Sequence, residues 1–501
     1  MPGRAAPAGA GDSVNLMSQQ SIPGIDPDSV TPVPLLGGWS TGTASTQVRA
    51  PYDGALLGSI PELTPGDVDA AAAYAKQAMH EAPLPQWTRA EILDRAALAL
   101  ADRREEFAQC IALEAAKPIK TARVEAERAV GTLQFSAAVA RTLTGETVPL
   151  EASSVGAGKI GFVLRVPIGV VGAISPFNFP LNLVCHKLGP AIAAGCAVVL
   201  KPASQTPFSA ILLARMLIEQ CGLPPAYLQV VTGGGSTVGN AIVDNPDIAL
   251  VTFTGSPEVG WSIRGRAPRK RVGLELGNNA PVIIDHDGDW ETAVAKIKVA
   301  GFSHAGQSCI STQRVFVHED LIEPVTAALV EGVKSLVVGD PMDATTDVSA
   351  LISKGETGRV KGWIDEAVAG GARVACGGEI GPDGVLQPTV IVNAQPDMSV
   401  CALEVFGPVV AIRGFRDFDD ALREANDTRY GLQAAVFTSD VGKAIKAART
   451  LDFGGVLVNE VPTWRADQMP YGGLRDSGNT REGPAYSVRE MTEERLVILQ
   501  G

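Results

Sequence analysis

Between Val170 and Thr254 the chain alternates short apolar runs with longer segments of helical periodicity, and that alternation restricts what it can fold into. Val170 to Ser175, Ala197 to Lys201, Leu228 to Thr232 and Leu250 to Thr254 have the length and composition of buried strands. Strands this apolar must be covered on both faces of their sheet. The intervening segments can supply that cover: Pro207 to Cys221 repeats its apolar residues at helical spacing, and Gly222 stands where a helix would stop. Strand, helix and strand in this order predict a parallel sheet with helices on both faces. Such a sheet binds ligands outside the C-terminal ends of its strands, which makes the residues at 174–178, 201–204 and 254–256 candidates for a ligand site.

A second alternation begins after Pro281. It comprises a helix from Trp290 to about His304, a strand at Arg314 to Val317, a helix from Asp320, and strands near Val390, Val409, Ala434 and Val456. These predict a second α/β domain. Two outlying segments have strand character: Ile160 to Val166, stopped by Pro167, and Glu494 to Leu499, which are expected to pair. Thr64-Pro65-Gly66-Asp67 and Thr88-Arg89-Ala90-Glu91 have the form of helix starts, and a third helix is expected from Pro118 toward Arg141. Residues 1–34, rich in Pro, Gly, Ala and Ser, read as a flexible arm.

A chain of 501 residues has room for more than one core. Its net charge of −13 argues against a nucleic-acid or membrane-surface binder. Seven cysteines, an odd number thinly spread, do not form a disulfide framework, which predicts a reducing, cytoplasmic setting. No apolar stretch is long enough to span a bilayer.

Chemistry concentrates at a few positions. Cys309, in Gly306-Gln307-Ser308-Cys309, is a candidate thiol nucleophile, and Glu275, in Leu274-Glu275-Leu276-Gly277, a candidate base for water. Asn178 follows a strand and could donate to an oxyanion, although an Asn beside prolines also satisfies turns. Lys201 and Ser204 end another strand where a ribose or phosphate could sit; a strand-end Lys is equally a solvated charge. The run Gly233 to Gly239 misses the GxGxxG spacing by one residue. Phe253-Thr254-Gly255-Ser256 opens a helix, so the N–H groups of Gly255 and Ser256 could face a pyrophosphate or simply form a tight turn. Glu404 could hold ribose hydroxyls or be an isolated surface carboxylate.

In combination these segments resemble the aldehyde dehydrogenase superfamily from about Gly38 to Leu499. The resemblance rests on Phe-Asn-Phe-Pro (177–180), Lys-Pro-Ala-Ser (201–204), Phe-Thr-Gly-Ser (253–256), Leu-Glu-Leu-Gly (274–277), Gly-Gln-Ser-Cys (306–309), Glu-Val-Phe-Gly-Pro (404–408) and Pro-Tyr-Gly-Gly (470–473), in that order. It implies an α/β architecture: a Rossmann-like cofactor-binding domain (35–152 and 168–280), an α/β catalytic domain (281–480), and a small β oligomerisation unit (153–167 and 481–501) that builds homodimers or homotetramers. It further implies Cys309 as nucleophile, Glu275 as general base and Asn178 as oxyanion donor. Ile174, Ser175, Lys201, Ser204, Gly235, Gly255, Ser256, Glu404 and Phe406 are then the cofactor-binding positions, with no metal. The implied reaction converts an aldehyde to a carboxylic acid through a cysteine thiohemiacetal and thioester.

Within the superfamily the sequence is most similar to the succinate-semialdehyde and lactaldehyde dehydrogenase branch. Ser204, where an acidic residue would repel a 2′-phosphate, favours acceptance of NADP beside NAD. The succinate-semialdehyde enzymes clamp their substrate with arginines at the positions held here by His186 and Ser303. Without that pair a bidentate carboxylate site is not evident, so the expected substrate is another small polar or anionic aldehyde, met by His186, Ser303, Trp464, Arg465 or Arg314. For Arg465 a structural ion pair is an even alternative. Acyl transfer to coenzyme A is disfavoured by the presence of Glu275, and a non-catalytic scaffold by the intact set of Cys309, Glu275, Asn178 and Lys201.

Overall fold

Five parallel strands form the first sheet: β1 (Val170–Ile174), β2 (Val198–Lys201), β3 (Leu228–Val230), β4 (Ile248–Thr254) and β5 (Arg271–Glu275), in the order β5-β4-β1-β2-β3. The computed structural model from which this is read describes residues 21–500. The chain walks outward from β1 to β3 and returns on the other side of β1 as β4, so the order reverses at β1 and leaves a crevice at the strand ends there. Ile174, Lys201, Thr254 and Glu275 occupy those ends. β5 is not evident from sequence because its run is short and begins with the exposed Arg271.

Helix α1 (Ile119–Thr142) lies along α2 (Asn182–Ala194), every residue of which is buried. α3 (Phe208–Glu219) ends slightly earlier than expected, and Gly222 provides the turn at φ +79. α4 (Pro257–Arg266) follows β4.

The second sheet contains β6 (Pro281–Ile284), β7 (Arg314–His318), β8 (Arg373–Cys376), β9 (Thr389–Val392), β10 (Val409–Phe415), β11 (Gln433–Phe437) and β12 (Gly455–Val458), in the order β8-β9-β10-β7-β6-β11-β12. All neighbours are parallel except β8 and β9. Helix α5 (Trp290–Phe302) connects β6 to β7, and Cys309 lies in the loop between α5 and β7.

A third, antiparallel sheet pairs Thr492–Gln500 with Lys159–Pro167, and the latter with Thr147–Val148. Its register puts Leu499 opposite Ile160 and Leu496 opposite Val163. Ile160, Leu164, Leu496 and Ile498 are exposed on it.

Two expectations about the N-terminal region change. The arm cannot extend to residue 34, because Ile22 and Ile25 are buried in the first core and Val33–Leu35 is a buried strand; residues 1–20 lie outside the described residues. Thr64 caps its helix through a complete capping box with Asp67. Thr88 does not cap, since its helix already begins at Gln86 behind Pro85. α1 starts behind Pro118 as expected.

Candidate active site

α5 stops at Phe302, two residues short of the expected end, because Ser303 turns extended at φ −54° and ψ 136°, and the backbone then runs left-handed. His304, Ala305 and Gly306 have φ of 51, 53 and 72°. Left-handed backbone costs a non-glycine residue about 1–3 kcal/mol and persists only where the surroundings enforce it. Here they do. A Cβ at Gly306 would lie 2.1 Å from the Gly407 carbonyl oxygen, so only glycine fits. The Gln307 side chain accepts from Ile352 N at 2.9 Å, and the Gln307 carbonyl accepts from the Asn178 amide at 2.9 Å. Asn178, in the loop that follows β1, is thereby joined to the loop carrying Cys309.

Cys309 is half-buried, and its Sγ lies 2.8 Å from the Tyr471 hydroxyl. Burial pushes its thiol up to about 12, against which the Tyr471 hydrogen bond acts. Tyr471 is followed by Gly472, where a Cβ would stand 2.7 Å from Glu275 Oε1. One dipeptide therefore touches the thiol with its first residue and makes room for the carboxylate with its second. Glu275 is buried at the end of β5, and neither of its oxygens has a hydrogen-bond partner among the described residues. Burial and then the charge of Glu482 hold its carboxyl well above the usual range, while Arg465, Lys187 and Arg481 oppose them. Such a carboxylate is a strong base with its lone pairs unspent.

The neighbouring crevice has the features of a nucleotide site. Lys201 is buried at the end of β2 with the Pro202 carbonyl, at 3.2 Å, as its hydrogen-bond acceptor and no carboxylate paired with it among the described residues; desolvation lowers it to about 8. A buried ammonium so poorly matched fits a ligand that brings hydroxyls or negative charge. The Ser204 hydroxyl donates to the Gly233 carbonyl at 3.2 Å, and a Cβ at Gly235 would meet nothing within 4 Å. Ile174 ends β1, and Ser175 N donates to the Lys201 carbonyl at 3.1 Å. Across the crevice Phe406, at φ 48°, meets Phe177 edge-on at 5.8 Å. Glu404 accepts from Asn278 N at 3.0 Å, and burial raises it to about 8.

The 253–256 segment differs from expectation in one respect. Gly255 N donates to the Glu275 carbonyl at 3.1 Å, extending the sheet, so that N–H is not free for a pyrophosphate. Ser256 caps α4, its hydroxyl accepting from Val259 N.

On the other side of Cys309 lies a cluster that the sequence only partly discloses. The Arg465 guanidinium stacks 3.7 Å from the centre of the Tyr471 ring, donates to Glu482 at 3.0 Å and lies 3.3 Å from His186 Nε2. His186 is buried and held below the ordinary imidazole range by desolvation and then by Arg465. Its Nε2 lies 3.0 Å from Asp467, which also takes a two-toothed contact from Arg128. Burial alone would raise Asp467, but the hydrogen bonds from His186 and Arg128 hold it well below the usual carboxylate range. Trp464 is 52% exposed beside them. Ser303 follows α5 as its C-cap, its N–H donating to the Val299 carbonyl. Arg314 is no substrate ligand: its guanidinium is spent on the carbonyls of Asn279, Glu424 and Ala425. Nothing in the local sequence marks Glu482, Asp467, Arg128 or Lys187; Tyr471 alone carries a signal, the Pro-Tyr-Gly-Gly motif.

This fold and constellation define a class of cysteine-based oxidoreductase. The sequence matches the aldehyde dehydrogenase family over residues 39–497, and the chain belongs to that family. It is 46% identical to 3-sulfolactaldehyde dehydrogenase of Priestia aryabhattai over 464 residues, 92% of this chain and 96% of that protein. With lactaldehyde dehydrogenase of Methanococcus maripaludis it shares 40% identity over 414 residues, 82% and 87% of the two chains. Aldehyde dehydrogenase 21 of Physcomitrella patens, solved with the product succinate, superposes with a TM-score of 0.91 at 36% identity, over 94% of this chain and 98% of that one. The glyceraldehyde-3-phosphate dehydrogenase of Methanocaldococcus jannaschii, solved with NADP, gives 0.88 at 35% identity, over 92% and 100%. The protein is thus an NAD(P)-dependent oxidoreductase acting on aldehydes.

Proposed function

We propose that the substrate is a small aldehyde carrying an anionic or hydroxyl group, with 3-sulfolactaldehyde the first candidate and lactaldehyde the second. The observation that carries this reading is the Arg465 guanidinium stacked on Tyr471, whose hydroxyl lies 2.8 Å from the Cys309 sulfur. Glu482 already pairs with one edge of this guanidinium at 3.0 Å, as a structural ion pair would; a cation one ring away from the nucleophile nevertheless suits a substituent a few atoms from the aldehyde carbon. The 46% identity to a 3-sulfolactaldehyde dehydrogenase supports the same choice.

Cys309 thiolate adds to the aldehyde carbon, forming a C–S bond while the carbonyl oxygen takes up negative charge. The Asn178 amide has two N–H groups and gives one to Gln307, so the second is available to that oxygen. Lys201, Ser204 and Glu404 would hold NAD(P), which would accept the hydride that leaves the thiohemiacetal carbon as its C=O re-forms, leaving a thioester on Cys309. Glu275 then takes a proton from water, whose oxygen adds to the thioester carbon; collapse breaks the C–S bond and gives thiolate and the carboxylic acid, which loses its remaining proton to solvent.

The sheet β1–β5 with residues 35–152 and 168–280 is assigned to cofactor binding, residues 281–480 to catalysis, and 153–167 with 481–501 to subunit pairing. The exposed Ile160, Leu164, Leu496 and Ile498 support a homodimer or a pair of homodimers. The seven cysteines, all free among the described residues, support a cytoplasmic location. No described helix is long and apolar enough to cross a membrane. The deciding experiment is a steady-state comparison of 3-sulfolactaldehyde, lactaldehyde and succinate semialdehyde with each cofactor, the acid product identified by mass spectrometry. A higher kcat/KM for succinate semialdehyde than for both hydroxyaldehydes would refute the substrate assignment.

A further inference from the structure

α2 begins directly behind the loop that carries Asn178, yet it has no capping side chain of its own, Leu181 standing at its N-cap position. Its orphan N–H groups are met from another helix. One oxygen of Glu125, on α1, accepts from Leu181 N at 3.0 Å and Asn182 N at 3.1 Å. The other takes the Lys117 ammonium, and both side chains are completely buried. A buried ion pair is weak evidence for stability, since an apolar pair of similar volume often serves as well or better. Its contacts point to another role.

Lys117 stands in the bend between two helices, after Ala116 at φ 49° and before Pro118. Its Nζ lies 3.7 Å from the centre of the Phe179 ring, and that ring meets His304 edge-on at 6.3 Å. Phe179 is the immediate neighbour of Asn178. On one side of Asn178 its neighbour is therefore pinned beneath an ammonium, and the turn that follows is tied to the carboxylate paired with the same ammonium. On the other side the Asn178 amide reaches the Gln307 carbonyl in the nucleophile's loop. Thr132 on α1 adds a further tie, donating to Asn182 Oδ1 at 2.8 Å.

We propose that the Lys117–Glu125 pair is a positioning element for the Asn178 amide, fixing the direction of its free N–H toward the reacting carbonyl oxygen. The pair touches neither substrate nor cofactor and acts through the backbone of 178–182. This inference rests on the reading of Asn178 as the oxyanion donor.

The test uses the full-length enzyme with Lys117→Met/Glu125→Gln, which removes both charges together and leaves no buried ion unpaired, and with Glu125→Asp, which keeps the charge but shortens its reach. Stopped-flow measurement of the burst of reduced cofactor is expected to slow on the order of ten- to a hundredfold, as small misplacements of a catalytic group do. The cofactor dissociation constant and the rate at which iodoacetamide alkylates Cys309, neither of which needs an oxyanion donor, are expected to stay at wild-type values. Introduced into Asn178→Ala, the double substitution is expected to cost nothing further. A wild-type burst rate in either folded variant, or an undiminished further loss in the Asn178→Ala background, overturns the proposal. Failure of both variants to fold would assign the pair to stability and overturn it too. Full burst rate in Asn178→Ala itself would instead sink the oxyanion reading, and that outcome is separable because Asn178→Ala is measured alone.

Discussion

Removing one hydroxyl tests how the Cys309 thiol is activated. Tyr471→Phe deletes the group 2.8 Å from Cys309 Sγ while keeping the ring on which Arg465 stacks. In the wild-type chain, burial pushes the Cys309 thiol up to about 12, and the tyrosine hydroxyl is the largest influence in the other direction. A hydrogen bond to a charged acceptor is worth about 1.5–3 kcal/mol, and about 1.4 kcal/mol corresponds to a factor of ten in an ionisation equilibrium. The thiol of the variant should therefore ionise about ten to a hundred times less readily. At any pH well below the thiol pKa the thiolate fraction falls in the same ratio, and so should the rate of alkylation. The assay is iodoacetamide labelling followed by peptide mass spectrometry, which separates Cys309 from the half-buried Cys376 and Cys401. Plots of log rate against pH should rise in parallel, with the variant line lower throughout. If the hydroxyl only shields the sulfur, the variant will react as fast as the wild type or faster, and the argument fails.

The carboxylate gives a second expectation: with Glu275→Gln a burst of reduced cofactor persists, while steady-state turnover falls by about 10²–10⁴-fold, the usual range for a lost general base. Because Glu275 is raised above the ordinary carboxylate range, the fraction able to accept a proton grows as pH rises through its pKa, so wild-type kcat should climb at higher pH than a free carboxylate would give. Kinetic pH profiles check this, and a profile already flat above about pH 5 would count against it. Ser204→Glu should raise the KM for NADP more than that for NAD, because a carboxylate opposes the 2′-phosphate; equal effects on both would place the phosphate elsewhere. Leu496→Lys with Ile498→Lys, two exposed residues on one face of the third sheet, should shift the protein to a monomer in light-scattering chromatography, and an unchanged mass would remove that face from the interface.

What the sequence discloses and what it hides follow from how each residue acts. Strands β1, β2 and β4 are legible because apolar runs of strand length between helices have few other solutions, and the C-terminal ends of those strands then locate Asn178 and Lys201. Glu275 is recognised through its motif, but its strand is not, since Arg271–Glu275 is brief and opens with an exposed charge. Local chemistry misleads where a competing local choice wins: Thr88 has the form of a cap, yet the chain is already helical at Gln86. Arg314 misleads for the opposite reason, its cation being satisfied by distant carbonyls that no short window contains. The same property hides the groups that organise the site. Glu125 reads as one more helical carboxylate among Arg123, Glu127 and Arg128, and only the crossing of α1 over the start of α2 turns it inward to cap a second helix. Glu482 and Asp467 likewise acquire their roles from Arg465, His186 and Arg128, partners brought together by the fold from three separate stretches of chain. A nucleophile and its base can be read from motifs because their chemistry demands particular residue types. The groups that aim them can be any buried charge with the right neighbours, and those neighbours exist only after folding.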